Sequence, residues 1–310
     1  MNGRSGRSMY RLGRFASVAL PYAWLLVLFL VPFLLVFKIS LSEVALKIPP
    51  YLPDFSFAEP LNIWWQKAQS FTLDNYRWIA GDDLYWKSFL ISLQIAAIST
   101  ALALMIGFPM ALAIARAPTR WKGILLIAII LPFWTSFLIR VYSLIGILKR
   151  EGLLNQLLLW VGAIDEPLAI GGTQIAVYIG IVYTYLPFMV LPLFAVLDKI
   201  DGTLLEAAAD LGANAFQRFW KLIVPLALPG IIAGSMLVFI PALGEFVIPD
   251  LLGGKNAQML GKTIWQEFRN NRDWPVASAV AIILLLALVV PIAIFQNAQF
   301  RAEQRQGDGS

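Results

Sequence analysis

The chain contains no cysteine and no histidine among its 310 residues. Together these absences exclude disulfide staples, thiol nucleophiles, zinc fingers, haem ligation and imidazole acid–base catalysis. Charge is also scarce, with 14% of residues Asp, Glu, Lys or Arg against 59% hydrophobic. Any chemistry is left to carboxylates, hydroxyls and amines. The net charge of +5 does not mark a nucleic-acid binder, because the basic residues gather at the ends of apolar runs instead of forming a stripe. What is abundant is Leu- and Ile-rich runs too long for the core of a soluble domain, which makes this a polytopic, all-α membrane protein.

A membrane-crossing helix needs about 20 apolar residues. Six stretches qualify, near 15–37, 88–115, 124–148, 173–197, 226–249 and 274–297. Arg4, Arg7, Arg11 and Arg14 precede the first run, which is too long for a secretory signal core and is followed by no small-x-small cleavage site. It reads as an uncleaved first span behind a basic cytoplasmic tail, 1–14. Starting inside, the connections alternate, and the tail 298–310 is expected to be cytoplasmic too. The inner pieces carry twelve Lys and Arg and the outer loops eleven, but the inner pieces are much shorter, so charge density favours this orientation. The last outer loop, with Lys255, Lys262, Arg269 and Arg272, runs against the rule. The first outer loop, 38–87, holds Tyr51, Phe55, Phe57, Trp64, Trp65, Phe71, Tyr76, Trp78, Tyr85 and Trp86. That composition excludes a flexible linker and suits an aromatic belt at the membrane interface more than a substrate contact, with partner binding by part of the loop also open.

Gly261, Lys262 and Thr263 are the one approach to a phosphate-cradling loop. Such a loop needs a glycine five positions earlier, where Asn256 stands. The chain is not expected to bind ATP or any other cofactor. Arg140 and Glu245 lie inside spans, where ionised groups are costly and face a bundle interior or a water-filled path. Both fall at similar depth in the outer half, so an Arg140–Glu245 bridge and a direct substrate role for Glu245 both stay open. Trp134, Tyr142, Tyr178, Tyr183, Tyr185, Phe246, Trp265 and Trp274 lie nearby in sequence. Aromatic faces beside a carboxylate attract amines, although each ring singly is more often packing. We select Glu245, Trp134, Tyr142, Tyr183 and Phe246 as substrate-path candidates, with Arg140 as a structural or gating charge.

The polar interruption at 199–225 contains EAAADLGANAFQRFWKLIVP, with the spacing E-A-A-x3-G-x9-L-x-V-P from Glu206 to Pro225. A carboxylate and helix formers, then Gly212, then an amphipathic run through Phe216, Phe219, Trp220 and Ile223, predict a helix, a turn and a second helix that stops at Pro225. This spacing resembles the cytoplasmic signature of the membrane subunits of bacterial ABC importers. There the loop docks on a separate ATPase, which would assign Glu206, Ala207, Ala208, Asp210, Gly212, Phe216 and Pro225 to coupling. Leu222 stands where the pattern often has Ile, a near-isosteric change.

Further segments resemble the polyamine branch of that family, the putrescine version most closely: DNYRWI with Tyr85 and Ser88, LPFWTSFLIRVYS, YTYLPFMVLPL, VFIPALGEFVIPDLLGG and NRDWPVASAV. The resemblance covers most of residues 20–295. It implies a type I ABC importer permease fold in the bacterial inner membrane and transport without catalysis. It also implies a heterodimer with a second permease, two copies of a cytoplasmic ATPase and a periplasmic polyamine-binding protein. Related permeases carry thiamine, iron or other solutes, so the cargo is less firmly implied than the machine. Two other classes fit poorly. A secondary transporter or channel would show an inverted repeat and more buried charge, and a membrane enzyme would need paired carboxylates or a nucleophile–base pair.

Overall fold

A computed structural model describes residues 3–55, 59–254 and 257–307. Phe57 of the aromatic loop and Lys255 and Asn256 of the near-phosphate loop lie outside the described residues, as do the side chains of Arg4, Arg7, Arg11 and Arg14. Among the described residues the regular structure is helical except for one two-stranded ribbon, and the chain divides into two compact units, Met1–Asp82 with Gln266–Ile283 and Asp83–Trp265 with Leu284–Ser310.

In the first unit, helix α1 (Gly3–Ser40) carries an apolar segment, Ala19–Ser40, whose apolar window is unburied while its last residue, Ser40, is buried. Its end is tied to the loop that follows. Strands β1 (Glu43–Val44) and β2 (Tyr51–Leu52) pair antiparallel, and helices α2 (Leu61–Gln69) and α3 (Asp74–Gly81) fold back onto them. Asn75 Nδ2 donates to the carbonyls of Ser40 and Ser42 at 2.9 and 2.8 Å, and the Ser40 and Tyr76 hydroxyls are 2.7 Å apart. Burial raises the Tyr76 phenol above its ordinary pKa. The aromatics divide between packing and exposure. Phe55 packs on Trp64 and Phe71, while Trp65 and Trp78 are exposed. Lys38 Nζ sits 4.2 Å over the Tyr51 ring and bonds the Pro53 carbonyl at 2.6 Å. Trp274 belongs to this unit, stacked on Phe268 and 6.2 Å from Tyr51.

The second unit is built on α4 (Asp83–Arg116), which leads through α5 (Thr119–Ile130), a 3-10 turn Leu131–Trp134, α6 (Phe137–Leu148) and α7 (Leu153–Trp160) to α8 (Gln174–Leu197). Helices α9 (Gly202–Asp210) and α10 (Ala215–Arg218) precede a π-turn, Phe219–Ile223, and α11 (Val224–Leu243). Short helices α12 (Val247–Leu252) and α13 (Leu260–Gln266) follow; the second π-turn, Glu267–Asn271, and the start of α14 (Trp274–Gly307) are counted in the first unit, and α14 from Leu284 in the second. The core lies where α4, α8 and α11 meet: Ala103, Met189, Val190, Leu193, Ala227 and Val238 are all fully buried there. Gly230 and Gly234 of α11 lie against the Leu193 and Met189 backbone, the small-residue packing that lets helices approach where no water drives them together.

Among the described residues four helices are long and apolar enough to cross a membrane, Ala19–Ser40, Asp83–Arg116, Gln174–Leu197 and Ala215–Leu243, or five if one bent pair counts as a single span. The stretch expected as one span at 124–148 is instead a pair of helices bent by 92°, Thr119–Trp134 and Phe137–Trp160. Pro132 and the extended backbone at Thr135 break the hydrogen-bond ladder there. The apolar part of α14 among the described residues is Trp274–Val289, and the helix expected across 226–249 ends at Leu243.

Candidate functional site

Two constellations lie in the second unit. The first is the polar interruption. Asp201 caps α9, its Oδ1 accepting from the Thr203 amide at 3.0 Å, and that bond holds its carboxyl below the usual pKa. The helix closes with paired bonds, Gly212 N to Ala209 O and Ala213 N to Ala208 O, both 2.9 Å, while Gly212 adopts φ +83°. This is the glycine-terminated ending in which the residue after the cap must turn left-handed. Asn214 and Gln217 then form a reciprocal capping box at 2.8 and 3.1 Å that restarts the helix.

That second helix does not stop at Pro225, contrary to the sequence expectation. It continues from Ala215 to Leu243. The π-turn moves the Val224 amide onto the Phe219 carbonyl, and Pro225 falls in the first turn of α11, where its missing N–H is no loss. The loop is held from behind: Phe219 meets Phe108 of α4 edge-on at 5.5 Å, and Ile223 is buried. Lys122 and Asp198, 2.6 Å apart, join the start of α5 to the end of α8. Its outer face is apolar and open, with Leu211 89% and Phe216 71% exposed beside Leu204 and Trp220. Glu206, Ala207, Asp210 and Pro225 are exposed and Ala208 half-buried.

The second constellation surrounds the two intramembrane charges. Glu245 is 7% exposed and sits in the break between α11 and α12. Its Oε1 accepts from the amides of Phe246, Val247 and Ile248 at 3.1, 3.0 and 3.4 Å, and its Oε2 accepts from the Tyr185 hydroxyl at 2.5 Å. A carboxylate oxygen has about two acceptor positions, so Oε1 is filled by the amides that open α12 while Oε2 accepts from Tyr185. Arg140, 8% exposed, forms no ion pair among the described residues. The Arg140–Glu245 bridge is therefore not made. The guanidinium instead lies over Phe133 at 4.7 Å and Phe137 at 5.9 Å, with Nε and Nη1 buried and unpartnered. Ring contacts of this kind contribute up to about 2 kcal/mol, whereas burying an ion costs several, so Arg140 is poorly compensated. Phe133 meets Phe188 at 5.2 Å and Phe188 meets Tyr185 at 6.1 Å. A continuous aromatic ladder thus runs from Arg140 to Glu245.

Of the other path candidates, Phe246 stacks on Trp265 at 5.1 Å, while Trp134, Tyr142 and Tyr183 are exposed and stand outside this ladder. Tyr185 was among the nearby aromatics but not selected, and Phe133, Phe137 and Phe188 were missed. Two helical i,i+3 pairs, Tyr185 with Phe188 and Phe137 with Arg140, were the readable signal. Gly261 fits against the carbonyls of Gly244 and Glu245, where any side chain would collide. Lys262 pairs with Asp250 at 3.3 Å and Thr263 shares a hydrogen bond of 3.1 Å with Ser88. The near-phosphate triplet is thus a helix-packing element.

Apolar membrane-length helices joined to one exposed amphipathic loop define a polytopic membrane protein. The chain belongs to the family described as binding-protein-dependent transport system inner membrane component, whose profile matches residues 103–302. It is 45% identical over 228 residues to the spermidine/putrescine transport system permease protein PotB of Escherichia coli K12, covering 74% of this chain and 82% of that one. It is 39% identical over 282 residues to the Haemophilus influenzae PotB, covering 91% and 92%. A bacterial ABC transporter importing the acidic polysaccharide alginate has the same fold, with TM-score 0.61 at 17% identity over 97% of this chain and 99% of that one.

Proposed function

We propose that this chain is the permease subunit of an ATP-driven importer that carries a polyamine, putrescine or spermidine, into the cytoplasm. The observation that carries the cargo is the 39% identity over 91% of the chain to a protein named for spermidine and putrescine transport. The observation that supports the coupling role is the apolar face of Leu211, Phe216 and Trp220 on a loop continuous with the helix Ala215–Leu243. An ATPase seated on Glu206–Pro225 moves that helix as a lever. Alternating access then follows from ATP binding outside this chain, with no cofactor held by the chain itself. A second permease, two ATPase copies and a periplasmic polyamine-binding protein complete the assembly, both termini facing the cytoplasm. Glu245 and Phe246 flank the path, with Trp134, Tyr142 and Tyr183 as open aromatic faces along it. Arg140 is the charge within it.

The test is uptake of labelled putrescine and spermidine into liposomes containing the assembled transporter and its binding protein. Uptake should require ATP and the ATPase. Uptake that persists without the ATPase would return the chain to the secondary transporters, and ATP-driven uptake that ignores both amines would reject the cargo.

A further inference from the structure

The least settled group in the second unit is the Arg140 guanidinium. It is more than nine-tenths buried, two of its nitrogens have no hydrogen-bond partner, and its attraction is to ring faces. The nearby carboxylate of Glu245 is spent on three amides and Tyr185. A ring face attracts any cation placed over it and does not distinguish a guanidinium from an ammonium. A cation that makes few hydrogen bonds forfeits few on leaving.

We propose that Arg140 is a resident cation: its guanidinium occupies a binding place for an alkylammonium group, formed by the faces of Phe133 and Phe137 and joined through Phe188 and Tyr185 to the fixed charge of Glu245. The cargo's ammonium takes this place when the Arg140 side chain swings aside. This inference rests on the reading of the cargo as an amine. Arg140 lies in the first turn of α6, directly after the 92° bend, so its side chain has the turn Leu131–Trp134 on one side and the helix on the other. An amine competes successfully because its apolar methylenes lie along Phe188 and Tyr185, which a hydrated metal ion cannot do.

Replacement of Arg140 by methionine removes the competitor and an unpartnered buried charge at once, a change that membrane burial tolerates well. The detergent-purified assembly carrying Arg140→Met should bind putrescine about tenfold more tightly than wild type, because apparent affinity rises in proportion to the fraction of open sites. Arg140→Lys, which keeps a cation, should stay near wild type. Phe133→Leu in the Arg140→Met background should reverse the gain. Titration calorimetry reads all three. Wild type that binds and imports putrescine, with Arg140→Met no tighter, overturns the resident cation while leaving the amine reading intact. Wild type that binds no diamine removes both.

Discussion

Glu245 lies in an apolar stretch, yet its charge is dispersed over three amides and a phenol instead of being matched by the arginine at similar depth. What it supplies is acceptor geometry at the start of α12. Glu245→Ala leaves those donors without their acceptor, at about 1–3 kcal/mol for each one that stays unpaired. Glu245→Gln retains one oxygen for the amides and should cost less. Thermal unfolding of the purified protein checks the order, and equal losses for the two would show that charge, not the acceptor, holds the break. In the same variants, uptake per folded molecule should fall more for Gln than its melting temperature does if the carboxylate faces the cargo. The two charges were legible in the sequence as costly groups at comparable depth. Their failure to pair was not legible, because the bend after Trp134 sets where Arg140 points, and nothing within α6 reports it.

At the scale of elements, the loop from Glu206 to Pro225 was the most readable part of the chain. Its helix, turn and restart were read from Glu206, the alanines, Gly212 and the amphipathic run, whereas the caps that set the helix starts, Asp201 and the Asn214–Gln217 box, were not read, and Glu206 lies inside α9. Gly212 carries the constraint. At φ +83°, with open space around it, the position rejects a side chain for backbone reasons and not for lack of room. ATP-driven uptake should therefore be near wild type for Gly212→Asn, reduced for Gly212→Ala and lost for Gly212→Val, with membrane insertion unchanged in all three. Normal uptake in the valine variant would uncouple the turn from transport. The continuation through Pro225 was misread, because a proline ends a helix only where its amide would be needed, and the π-turn removes that need.

For the molecule as a whole, the absence of cysteine makes orientation directly testable. A single cysteine at Gln69, exposed in the first unit, should react with a membrane-impermeant maleimide in intact spheroplasts. One at Lys199, exposed beside the loop, should react only after permeabilisation. The reverse pattern would invert the topology. Composition and periodicity determined by themselves that the chain is helical, apolar and membrane-embedded, that thiol and imidazole chemistry are excluded, and that residues 206–225 hold a helix, a turn and a second helix. Each of these depends on neighbours a few residues apart. Only the tertiary structure decided that the aromatic loop folds around the end of α1, that Gly261–Thr263 packs helices, and that Glu245 answers to Tyr185 while Arg140 answers to rings. Tyr185 and Glu245 are 60 residues apart, and a pairing at that range is set by how helices cross, which no local pattern records.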